Sequence, residues 1–100
     1  MNFTLVKTSE ACPEQYDVYL GEETSRIVGY IGLRFGKLYV CYPSADGEII
    51  YSYDFSDRLK GMFDNEEERN LYIITALTYI KDAIIYETFG NTSDINYVIK

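Results

Sequence analysis

Histidine is missing from the 100 residues, and that absence removes much of enzymology. Imidazole acid–base chemistry, histidine-ligated zinc, and Ser-His-Asp or Cys-His nucleophiles all need a ring the chain lacks. Cysteine is scarce too: Cys12 and Cys41 are too few for a Cys₄ zinc or iron–sulfur site. No apolar run approaches the roughly 20 residues that span a bilayer. Neither a P-loop nor a GxGxxG motif occurs. The opening residues MNFTLVKTSE hold no basic stretch followed by an apolar one, so a secretory signal is not expected. A cytoplasmic location with reduced thiols at Cys12 and Cys41 is the corresponding expectation. Positive charge is limited: nine Lys and Arg stand against sixteen Asp and Glu, a net of −7. That balance argues against duplex nucleic acid and anionic membrane as partners.

What is present suits one small globular unit. A mass of 11.6 kDa predicts burial of about 65% of the unfolded surface, enough for one core without disulfides or metal. Residues 1–100 are therefore read as a single domain, and linkers, repeats and low-complexity tracts are not evident. The charge is uneven. Residues 1–25 and 61–100 each carry a net of −4, whereas residues 26–60 carry +1. The middle segment is where an anionic ligand would be locally welcome.

Alternation of apolar and polar residues predicts strands at Phe3–Thr8, Gln15–Leu20, Arg26–Phe35 and Glu48–Tyr53. After Arg26–Phe35, Gly36-Lys37 suits a two-residue hairpin turn into a partner strand over 38–42, and PSADG makes the next turn before Glu48. That turn sets Phe35 opposite Leu38, Leu33 opposite Val40 and Ile31 opposite Tyr42, all on one face with Ile27. Asp64 with Glu67 reads as a capping pair opening a helix. Glu66, Glu67 and Glu68 then lie where the helix dipole favours acids. Ile73, Ala76, Leu77, Ile80, Ala83 and Ile84 form its apolar stripe, and Gly90 after Phe89 is its expected stop. Residues 91–100 either add an edge strand or fray. The expected fold is α+β: an antiparallel sheet of four to six strands with one long helix packed on one face. Such a helix is longer than the strands it covers, so it overhangs, bends, or packs on a second copy.

The uncovered sheet face holds the candidate ligand site. Alternation places Asp17 and Tyr19 there, then Arg26, Tyr30 and Arg34, and across the hairpin Tyr39 and Cys41. Lys37 sits in the adjoining turn, and Arg34 is expected opposite Tyr39. Guanidinium groups beside tyrosines can hold an anionic, ring-bearing ligand. The same residues also suit cross-strand stabilisation or a subunit contact. On the helix, Tyr72, Tyr79 and Tyr86 recur every seven residues, a spacing that serves either an oligomer interface or a sheltered core margin. Asp54, Asp57 and Asp64 match no EF-hand spacing, and no metal or cofactor is expected. Cys12 lacks a histidine base, so thiol catalysis is not expected and the protein is read as non-enzymatic.

The phrases CPEQYDVY (12–19), GYIGLRFGKLYV (29–40), GEIIY (47–51) and FDNEEERNLYI (63–73) resemble those of small proteins encoded by bacteriophages and mobile elements of Gram-positive bacteria. The resemblance implies action inside an infected bacterium, in the manner of phage accessory proteins that antagonise host defence. Two mechanisms fit. One is sequestration of a nucleotide-type immune signal by Arg34 and its tyrosine neighbours, within a homo-oligomer. The other is an acidic protein inhibitor, a nucleic-acid mimic of the anti-CRISPR kind, that occludes a host defence nuclease through Glu66, Glu67 and Glu68.

Overall fold

The computed structural model describes residues 1–22, 26–88 and 95–100. Strands β1 (Asn2–Lys7), β2 (Glu14–Leu20), β3 (Arg26–Arg34), β4 (Lys37–Tyr42) and β5 (Glu48–Asp54) precede helix α1 (Glu66–Thr88) and strand β6 (Asn96–Ile99). They form one six-stranded sheet in the order β5-β4-β3-β2-β1-β6, with α1 packed across one face. The α+β expectation holds, with one correction. The sheet is mixed, because β6 runs parallel to β1 while all other neighbours are antiparallel. The chain returns to β1 after the helix, and a crossover of that kind permits parallel pairing.

The core lies between sheet and helix. Phe3 and Leu5, Tyr16 and Val18, Ile31 and Leu33, and Leu38 and Val40 point inward from four adjacent strands. The stripe Ile73, Ala76, Leu77, Ile80 and Ile84 meets them from α1. At Gly29 a Cβ would lie 2.6 Å from Ile80 Cδ1, so helix and sheet approach closely there. Asn65 Oδ1, rather than Asp64, caps the helix, accepting the amide of Glu68 at 2.8 Å. Glu68 Oε1 reaches back to the amide of Asp64 at 2.9 Å, so the reciprocal cap stands one residue later than expected. The stop at Phe89-Gly90 lies outside the described residues.

Two local departures reshape the sheet. A β-bulge shifts the register so that Val18 pairs with Gly29 and Tyr19 with Ile27. Val28, the extra residue, turns into the core, and Ile27 becomes exposed, the reverse of strict alternation. The β3–β4 hairpin pairs Arg34 with Lys37, Leu33 with Leu38 and Ile31 with Val40. Its loop is therefore Phe35-Gly36, both in the left-handed region at φ 52° and 77°, as a type I′ turn requires. Phe35 stands 76% exposed instead of facing Leu38, and Tyr39 lies opposite Gly32 rather than Arg34.

Candidate ligand-binding site

The hairpin tip does not float. The amide of Gly36 donates to Lys60 O at 2.8 Å, and the amide of Phe55 donates to Gly36 O at 2.8 Å. Any side chain at position 36 would strike Asp57 O, so glycine is needed for contact as well as for its φ. The tip is thereby clamped against the 55–61 loop. That loop is held in turn by two short turns, in which Asp54 Oδ1 accepts the Ser56 amide (2.7 Å) and Asp57 Oδ1 accepts the Leu59 amide (3.0 Å). Lys60 Nζ bonds Asp64 (3.0 Å) and Glu68 (2.8 Å) and lies 5.1 Å from the Phe55 ring centre. Burial works against that ammonium, but the two carboxylates prevail and raise its pKa.

Two cavities open on either side of Phe35. One, of about 640 Å³, takes Lys37 and Tyr39 from β4, Asp54 from the end of β5, and Ser56, Asp57 and Arg58 from the loop. The other, of about 340 Å³, is lined by Cys12, Pro13, Arg34, Arg58, Leu59 and Gly61. Phe35 and Arg58 belong to both. Among the described residues, none of Arg34, Lys37 and Arg58 forms an ion pair. Leu59 is 93% exposed, so this end of the molecule combines unneutralised cations with uncovered apolar side chains.

The six residues expected to bind ligand are not all gathered. Lys37 and Tyr39 share the larger cavity, and Arg34 lines the smaller one. Arg26 lies at the opposite end of β3, paired with Leu20, roughly 25 Å from Arg34 at strand rise. Tyr19 is near it, opposite Thr4 and Ile27. Tyr30 lies between the two ends, its hydroxyl donating to Gln15 Oε1 at 2.6 Å and its ring lying where a Gly32 side chain would be. Asp17, opposite Tyr30, has its carboxyl pKa raised by burial, so the middle of the outer face disfavours an anion. The cation cluster is at the hairpin tip.

Arg58, Phe35, Asp54 and Asp57 were not among the expected ligand residues. Arg58 falls in the positive 26–60 segment, which was the available hint. Asp54 and Asp57 reach the cavity, whereas Asp64 is engaged by Lys60. Among the described residues no three carboxylates or thiols converge as a metal site. Both cysteines are free thiols, Cys12 exposed and Cys41 buried, and burial raises the pKa of Cys41.

The helix tyrosines divide. Tyr79 stacks on Tyr51 at 4.5 Å, and Tyr72 packs on Tyr53, Phe55 and Phe63. Tyr86 alone of the three is left 85% exposed. No helix among the described residues is long and apolar enough to cross a membrane. Comparisons with protein-family models, curated proteins and solved structures found no match to this chain.

Proposed function

We propose that this protein binds and sequesters an anionic, ring-bearing ligand of nucleotide type without chemical turnover. The observation that carries the reading is the cluster of Arg34, Lys37 and Arg58, without an ion pair among the described residues, around the exposed ring of Phe35. Guanidinium forks grip phosphate, and an exposed aromatic face stacks a base. In a chain of net −7, three cations gathered at one tip, none in an ion pair among the described residues, favour an anion there. The lack of histidine supports binding rather than catalysis. The resemblance to small phage proteins supports a nucleotide immune signal as the natural ligand, held in the cytoplasm of an infected bacterium by a homo-oligomer.

Native mass spectrometry of the protein purified from a host with active nucleotide-based immune signalling tests this. A retained mass of nucleotide size is expected, and Arg34→Ala should lose it with the melting temperature nearly unchanged, since an exposed arginine carries little stability. No bound mass from signalling cells overturns the reading. The inhibitor alternative is left with Glu66 and Glu67, because Glu68 is committed to Lys60 and the Asp64 amide.

A further inference from the structure

We infer that the two cavities flanking Phe35 read opposite ends of one ligand, and that this ligand is a phosphorylated ribonucleoside whose ribose hydroxyls are recognised by Asp54 and Asp57. The inference rests on the nucleotide reading above and adds a polarity to it. The smaller cavity has two guanidinium groups, Arg34 and Arg58, and no acid in its lining. Its remaining walls are apolar or small, as at Pro13, Phe35 and Leu59. A dianionic phosphate is favoured there, because nothing of its own sign competes.

The larger cavity differs in kind. Lys37 and Arg58 share its lining with Asp54 and Asp57, and Ser56 and Tyr39 also line it. Each aspartate spends Oδ1 on a backbone amide of its own turn, and the second oxygen makes no hydrogen bond among the described residues. Carboxylate oxygens of this kind accept hydrogen bonds from vicinal hydroxyls. They would repel a second phosphate. Phe35, shared by both cavities, provides an apolar surface between the charged end and the hydroxyl-bearing end. The ligand is thus anionic at one end and rich in hydroxyl donors at the other.

Isothermal titration calorimetry with AMP, 2′-deoxy-AMP and adenosine decides the matter. AMP is expected to bind most tightly, with the deoxy analogue weaker by roughly tenfold or more, since a carboxylate aimed at a missing hydroxyl is left unpaired. Adenosine should lose more, and Arg34→Ala should lower AMP affinity while leaving adenosine unaffected. Asp54→Asn and Asp57→Asn keep the Oδ1 acceptor and hence the loop turns, so both variants should melt like the parent. In one or both, the preference for AMP over 2′-deoxy-AMP should shrink. Equal binding of AMP and 2′-deoxy-AMP, with Arg34→Ala still damaging, overturns the ribose inference alone. An unchanged preference in both Asn variants also overturns it. Absence of binding by all three probes overturns this inference, and it leaves the broader reading to the retained mass in the host-purified protein.

Discussion

Glu14 carries its charge inside the protein at 4% exposure, and its surroundings explain how. Arg69 Nε meets Oε2 at 2.6 Å, the Tyr16 hydroxyl donates to the same oxygen, and the Phe63 amide donates to Oε1 at 3.0 Å. Burial pushes this carboxyl up, but the three donors and the guanidinium charge together outweigh it and leave its pKa below the ordinary 4.5. The folded-state pKa is thus lower than the unfolded one. The resulting stability is fully present above about pH 4.5 and is lost as pH falls through the depressed value. Urea unfolding followed from pH 7 down to pH 3 should show that loss in the parent and a much flatter profile in Glu14→Gln. Arg69→Ala should cost about 3 kcal/mol at neutral pH, because it strands a buried charge. A cost below about 1 kcal/mol would mean that water replaces the guanidinium. Glu14 and Arg69 stand 55 positions apart, so no local pattern in the sequence could have paired them.

At the scale of elements, the β3–β4 hairpin shows what alternation can and cannot decide. Pairing Leu33 with Val40 or with Leu38 leaves the same residues on the same face, because the two registers differ by one full period of the strand. The apolar pattern therefore predicted the inward face of both strands near the turn but not the register. The turn chose Phe35-Gly36 over Gly36-Lys37, so Arg34 moved from facing Tyr39 to facing Lys37. Two cations are thereby brought side by side at the tip. The bulge at Val28 was equally hidden, since Ile27 and Val28 are both β-branched and either suits the inward face. Phe35 at positive φ is costly for a residue with a Cβ. Phe35→Asn should stabilise the hairpin by about 0.5–1 kcal/mol while weakening AMP binding. A lower melting temperature in that variant would show that the ring contributes to folding. The helix stripe was legible at all its positions but Ala83, which is only half-buried, whereas the role of Tyr72 was not: that ring joins Tyr53, Phe55 and Phe63, partners from a strand and a connection whose positions the sequence did not reveal. Tyr72→Ala should cost about 2–3 kcal/mol in urea unfolding.

Across the whole molecule, α1 extends about 34 Å at helical rise, against overall dimensions of 39 × 25 × 23 Å. Its last buried residue among those described is Ile84, and Tyr86, one half-turn further on, is exposed to solvent. Self-association through this end follows from the proposal of a homo-oligomer. Sedimentation velocity should then give an assembly that Tyr86→Lys dissociates, and an unchanged sedimentation coefficient would remove the helix end as the contact. A ligand held by Arg34, Lys37 and Arg58 is held by charge, so its affinity should fall as salt rises. Calorimetry with AMP at roughly 50 and 500 mM NaCl checks this, and a salt-independent affinity would show that these cations do not hold the phosphate.

The parallel pairing of β6 with β1 has a consequence for how the chain is made. Phe3 and Leu5 sit beside β2, which follows them closely in sequence, yet their other neighbours, Tyr97 and Ile99, are made only after the other five strands and the helix. The start of β6 at Asn96 comes 76 positions after the end of β2 at Leu20, roughly 4 to 15 seconds of synthesis. During that interval the nascent polypeptide displays an uncapped strand edge. A product truncated before β6 would keep that edge open and be primed to stick to its own kind.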